Sequence, residues 1–343
     1  MIYADNHSIQ ALIMHRIGNK AMEEGCILSD RSIQPDAPLA TLLTKYFFTP
    51  FVTSELYHFC HEAAIGLNEL YSCATCIFDD PSAFQEQSVR IARQLYNESV
   101  HPKIKPGELY VAYFKDCLVE GRKTDAVGVF KSENKDTFLK VLQTAHGLDI
   151  APESGINTNK LDKGCLIFNA EREQGYLVAI VDTTSKGADA KFWTESFLHV
   201  CPRKDSYSQT RQMLSLCKSF VAQLPAADGK LAKATYMNRS LEALKAGTVH
   251  IDSFAEQVFE RPALVDDFKR YKADYQQKRS VDIDDSFPTT SAALKRRATG
   301  TMTTLRLDKH FDIHIHGGEQ YIVRGYDEER QMYYYQLFFR EER

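Results

Sequence analysis

The sequence has no long hydrophobic run. Its longest apolar stretches are short ones such as Tyr176 to Val181, far below the roughly 20 residues that a spanning helix needs, so no membrane role is expected. Nor is a leader expected. Met1 to Asp5 has neither a basic start nor an apolar stretch, which predicts a chain that stays in the cytoplasm with its eight cysteines reduced. The hydrolase, phosphate-loop and dinucleotide signatures G-x-S-x-G, G-x-x-x-x-G-K-[ST] and G-x-G-x-x-G are absent. No carboxylate spacing picks out an acid/base pair, and there is no internal repeat or low-complexity tract. These absences predict a protein that is not an enzyme and holds no cofactor. At 343 residues, 43% hydrophobic and 26% charged, the composition is that of a globular chain of two to three domains.

Charge is unevenly spread behind a net value of -4. Residues 1 to 185 carry 17 Lys+Arg against 24 Asp+Glu, residues 186 to 300 carry 19 against 14, and residues 301 to 343 carry 6 against 8. The middle is the only basic region, so any polyanion should be met there.

The hydrophobic period changes along the chain and predicts an α+β fold: an N-terminal antiparallel-sheet domain with helices over 1–185, a helical domain over 186–280, a linker and short helix over 281–299, and a small β unit over 300–343. In the first part, Ile9 to Ile17 reads as a strand and Leu39 to Phe48 as a helix. A stronger helix follows Pro81, with Ser82 as its N-cap. Leu109 to Phe114, Ala126 to Phe130, Phe138 to Leu142, Cys165 to Phe168 and Tyr176 to Val181 are short strands separated by turn residues, the pattern of an antiparallel meander. Helices are predicted over Ala190 to Val200, Ser206 to Leu224, Lys230 to Ala246, Ile251 to Phe259 and Pro262 to Lys278, with Pro202, Pro225, Gly229, Gly247 and Pro262 between them. A short helix is expected around Ala292 to Ala298. After Gly300 alternation returns: Phe311, Ile313 and Ile315 face one way, Gly317 and Gly318 turn the chain, and Tyr321 to Val323 and Met332 to Phe339 continue it.

Two groups resemble metal ligands. His58-x-x-His61 followed by Cys73-x-x-Cys76 could form a tetrahedral zinc site, but the order reverses that of the usual finger, and Phe59, Leu67, Leu70, Tyr71, Ile77 and Phe78 favour an ordinary packed helix. His310, Asp312, His314 and His316 alternate along one strand and would share a face, yet a strand with apolar residues inward must show polar ones outward. No bound metal is expected from either.

Cations carry the remaining signal. Arg203 and Lys204 open the helix bearing Arg211; Lys230 and Lys233 follow; Lys269, Arg270 and Lys272 alternate with Phe268, Tyr271 and Tyr275; and Lys295, Arg296 and Arg297 form the only triple. Each cluster alone reads as a solvated face. Their concentration in one region predicts contact with the phosphates of double-stranded DNA, the triple first and Lys269, Arg270 and Lys272 second.

Several stretches also resemble a known family. They are Asn68-Glu-Leu-Tyr71, Ser88 to Phe114, Val127 to Leu139, Gly164 to Asn169, Tyr176 to Asp182, Lys191 to Leu198 and Ser286-Phe-Pro288, and they resemble the bacterial nucleoid-associated proteins called NdpA-like. The resemblance implies a cytoplasmic protein of the nucleoid that binds DNA with little sequence preference, and it supplies no catalytic motif. An adapter role, in which the acidic N-terminal domain docks another nucleoid protein, is the alternative; an unrecognised metal-dependent enzyme is a third reading.

Overall fold

Runs of β-branched and aromatic residues organise the first of two compact units, Met1–Arg203; the second is Lys204–Arg343. The computed structural model describes residues 2–5, 8–51, 55–184, 192–225, 229–279, 281–295, 304–307, 309–314 and 321–341. In chain order the first unit contains strands β1 (Ile2–Tyr3), β2 (Ile9–Ile17) and β3 (Cys26–Ile27), helix α1 (Ala37–Phe48), β4 (Leu56–Phe59), helices α2 (Glu69–Asp79) and α3 (Phe84–Glu98), β5 (Gly107–Val119) and β6 (Arg122–Ser132). It continues with β7 (Asp136–Thr144), β8 (Gly147–Gly155), β9 (Lys163–Phe168), β10 (Leu177–Asp182), a π-helical segment Phe192–Leu198 and β11 (Val200–Pro202). Nine strands form one sheet, ordered β11-β4-β10-β9-β6-β5-β2-β3 with β1 on β5, and every pairing is antiparallel. The expected antiparallel meander holds for β5, β6, β9 and β10, but Phe138 to Leu142 leaves this sheet and pairs, as β7, with β8 instead.

Both faces of this sheet are covered. Leu109, Val111 and Tyr113 of β5, Val127 and Val129 of β6, and Cys165 and Ile167 of β9 pack in one core with α2, α3 and Trp193. The alternate residues Tyr110, Ala112, Phe114, Ala126, Phe130, Leu166 and Phe168 pack in the other with Phe47 and Phe48 of α1. Strands buried on both sides lose the polar alternation of a one-sided sheet, so these read as nearly continuous apolar runs. Gly128 makes room for the aromatic layer: a Cβ there would lie 2.5 Å from the Phe130 ring and 2.8 Å from that of Phe114.

Several local expectations need correction. Ser82 does not cap α3: Asp80 caps a short 3-10 turn over Pro81–Ala83, accepting from the Ser82 amide at 3.0 Å and its hydroxyl at 2.8 Å, and α3 then starts after Ala83 with no side-chain cap. Pro81 has no amide to offer, so the Asp80 carboxylate takes the next free one, that of Ser82. Within the expected helix Ala190 to Val200, the described residues form the π-helical segment and the start of β11 instead. The eight cysteines are not all thiols: Cys60, just after β4, and Cys201 of β11 form a disulfide between the edge strand β11 and its neighbour, with Cα atoms 5.9 Å apart.

The second unit is built on helices α4 (Ser206–Gln223), α5 (Gly229–Lys245), α6 (Ile251–Phe259), α7 (Pro262–Arg279) and α8 (Ser291–Lys295), with β12 (Thr248–His250) and β13 (Ser286–Pro288) paired between them. Phe220, Phe259 and Phe268 meet at ring-centroid distances of 5.1, 5.3 and 4.9 Å, and this aromatic centre gathers the helices into one core. Two hairpins follow, β14 (Thr304–Leu307) with β15 (Phe311–His314) and β16 (Ile322–Asp327) with β17 (Met332–Leu337). Phe311 is exposed rather than inward. Residues 296–298 of the expected short helix, together with Ile315, Gly317 and Gly318, lie outside the described residues.

Candidate nucleic-acid interface

Seven of the cations singled out in the sequence, Arg203, Lys204, Arg211, Lys233, Lys269, Arg270 and Lys272, have described side chains. Arg203 ends the first unit, ahead of α4, whose N-cap is Asp205 accepting from the Ser208 amide at 2.8 Å. Its guanidinium grips Glu120 at 2.9 Å and also Glu171. Lys204 sits between Asp282 at 2.7 Å and Asp284 at 2.8 Å, and hydrogen bonding to Asp282 and then Asp284 holds its ammonium well above the ordinary lysine range. Lys269 meets Asp252 at 2.6 Å and is pushed up by that carboxylate. Arg270 pairs with Asp267 one turn earlier. Lys272 is buried with its ammonium 2.6 Å from Asp285, whose carboxyl is held below the usual range by this hydrogen bond. Lys233 donates to the Ala222 carbonyl at 3.2 Å, and Arg211 is half-buried on α4.

The structure therefore brings most of these cations to carboxylates rather than to one open surface. A phosphate would have to compete with those partners, and exposed pairs in water hold each other only weakly, at about 0–1 kcal/mol. Lys272 is different, since it is buried. Lys230 lies at the start of α5 and Lys295 at the end of α8, but their side chains, like Arg296 and Arg297 entirely, fall outside the described residues.

Two cations that sequence reasoning passed over stand out at the end of α7. Lys278 is exposed and has no hydrogen-bond or ion-pair partner among the described residues, and Arg279 lies over the Tyr275 ring at 4.8 Å with no carboxylate on it. Stacking fixes the guanidinium plane while leaving its charge uncompensated. The signal was available in the sequence, because they close the helix that carries Lys269, Arg270 and Lys272. Their lack of a nearby acid is a tertiary fact.

The metal-like groups do not converge. His58 on β4 bonds Glu171 at 2.6 Å, His61 accepts from the Ala63 amide at 3.2 Å, and Cys73 is buried in α2 with its thiol pushed up to about 12 by desolvation. His310 lies in the turn before β15, not on it, and His316 is outside the described residues. Among those residues no three His, Cys, Asp or Glu side chains are grouped to hold an ion. Other buried charges of the first unit are partnered too. Lys131 bonds Glu133 at 2.8 Å and the Lys105 carbonyl at 2.6 Å, Lys163 bonds Asp182 at 3.0 Å and Thr184 at 2.9 Å, and Asp162 accepts from the amides of Glu133 and Asn134.

The stretches that carried the family resemblance turn out to build the fold. Asn68 accepts from the Tyr71 amide at 3.0 Å, capping α2, and donates to the carbonyls of Leu198 at 3.0 Å and His199 at 3.1 Å. Trp193 is fully buried and Phe287 of β13 is in the second unit's core. Among the described residues no helix is long and apolar enough to cross a membrane. A family profile described as "NA37: Nucleoid-associated protein YejK" matches residues 13–333. No curated protein matches the chain.

Proposed function

Because the chain belongs to the NA37 family of nucleoid-associated proteins, we propose that it binds double-stranded DNA directly, through cations of the second unit, and acts by binding rather than by catalysis. Its place would then be the nucleoid, in the cytoplasm. The observation that carries this reading beyond the family is the sorting of charge. Met1–Arg203 has 20 Lys+Arg against 26 Asp+Glu, a net of -6, and Lys204–Arg343 has 22 against 20, a net of +2. A polyanion approaches the second unit and is repelled by the first.

The contacts assigned are Lys295, Arg296 and Arg297, joined by Lys278 and Arg279. Phosphate contacts carry no sequence information, so these cations would grip the backbone whatever the bases. Lys204, Lys269 and Arg270 could exchange their exposed carboxylates for phosphates on binding.

Fluorescence anisotropy with short duplexes of unrelated sequence, repeated over a range of salt, tests this. Log affinity should fall linearly with log salt, with similar affinity for every duplex. Changing Lys278 and Arg279 to Ala should flatten the slope by about 2, and changing the triple to Ala by about 3, at roughly 0.9 per phosphate contact. A sequence-selective loss would indicate base readout instead. If the wild-type protein shows no salt-sensitive binding, the adapter reading replaces this one.

A further inference from the structure

We infer that Cys60 and Cys201 are a reversible dithiol site, closed by small disulfides and opened by small thiols, that sets how firmly the edge strand β11 is held. The strand pairing arranges it. Cys201 lies opposite His58, the Cys60 amide donates to the His199 carbonyl at 2.9 Å, and the Arg203 amide donates to the Leu56 carbonyl at 2.9 Å. Alternate residues of a strand share a face, so Cys201 and Arg203 stand on the side of the ribbon that carries His58 and Cys60. Glu171 agrees with this, since both His58 and Arg203 hold its carboxylate. None of these contacts involves sulfur. When the S–S bond opens, they keep the two cysteines near their Cα separation of 5.9 Å, inside the range that a disulfide spans.

The compartment makes the bond conditional, and access makes it exchangeable. The proposed function puts the chain in a cytoplasm whose thiol pool keeps most cysteines reduced, where a disulfide is typically transient. Only that setting rests on the proposed function; the exchange chemistry does not. Cys201 is exposed and Cys60 half-buried, whereas Cys73, Cys117, Cys165 and Cys217 are buried, with thiols that desolvation pushes up. The charged groups held here, His58, Glu171, Arg203 and Glu120, satisfy one another, so access rather than an activating cation selects Cys201. In closing, the Cys201 thiolate attacks one sulfur of a small disulfide, whose S–S bond breaks, and one half leaves as a thiolate that takes up the proton Cys201 gave up. The Cys60 thiolate then attacks the Cys201 sulfur and expels the other half in the same way. Two cysteines are thereby oxidised and one small disulfide is reduced to two thiols. A small thiol reverses both steps, entering at the exposed Cys201 sulfur. Opening leaves β11 with three paired residues on one neighbour, too few to hold an edge without fraying.

Thiol mapping of the full chain in glutathione buffers tests this. The protein, equilibrated with reduced and oxidised glutathione at a series of ratios and then alkylated, should convert Cys60 and Cys201 together, to the same fraction from either direction. The four buried thiols should stay unmodified. C60S should trap glutathione on Cys201, and C201S should trap it on Cys60 at least about tenfold more slowly. Protease should cut the open wild-type protein near β11 at least about threefold faster than the closed one. A bond that opens only after unfolding, a pair that stays reduced in excess glutathione disulfide, equal trapping in the two variants, or equal cutting of the open and closed protein would each overturn the inference. No nucleic acid is present in these measurements, so a failure of DNA binding, which would overturn the proposed function, leaves them unmoved.

Discussion

His15 is held neutral by where it sits. The Ser29 amide donates to its Nδ1 at 3.1 Å, and Nε2 faces the Ser88 hydroxyl at 3.2 Å, which leaves the proton on Nε2. Burial lowers its pKa from 6.5 to about 4. The unfolded chain therefore binds a proton between those two values while the folded one does not, and stability must fall as pH drops through that window. About 3 kcal/mol is at stake in full, and none of it above the ordinary histidine value. Urea unfolding at about pH 7.5 and about pH 4.5, compared between wild type and H15Q, should show a smaller pH difference in the variant. Nothing in the sequence around His15 announces this, since its partners come from Ser29 and from a helix 73 residues away.

The edge strand β11 and its neighbour β4 show how an element can depend on a single link. β11 has three residues and one neighbour, too few hydrogen bonds to secure an edge alone. The Cys60–Cys201 bond joins them across 141 residues of chain. Reductant should cost the oxidised protein about 2–4 kcal/mol, seen as a lower thermal unfolding midpoint, and C60S should start at the lower value and not respond. The buried thiols stay out of this chemistry: desolvation pushes Cys117 and Cys217 up to about 12, far from the reactive range. Strands with continuous apolar runs, such as β5 and β6, could be read from the sequence because burial on both faces writes itself into composition. β8 could not, since Gly147–Gly155 contains a proline, two acids and two glycines, and it is a strand only because β7 offers it a partner. β4 is four residues long, too short for its period to register.

For the whole molecule, charge could be counted from the sequence but its pairing could not. Asp285 reaches Lys272 and Asp252 reaches Lys269, and each contact removes a cation that the sequence alone leaves free. The candidate interface thus shifted toward the end of α7. The sheet order carries another consequence, one of timing. Tyr57 of β4 pairs with Val178 of β10, 121 residues later, and the other neighbour, β11, ends only at Pro202. A ribosome adding about 5–20 residues per second needs roughly 6–24 s to supply the first of these partners. During that interval Leu56, Tyr57 and Phe59 form an apolar strand with both edges open. Nascent chains arrested before Leu177 should be cut by protease near β4, and chains extended past Pro202 far enough to clear the exit tunnel should resist, because an early strand must wait for late neighbours.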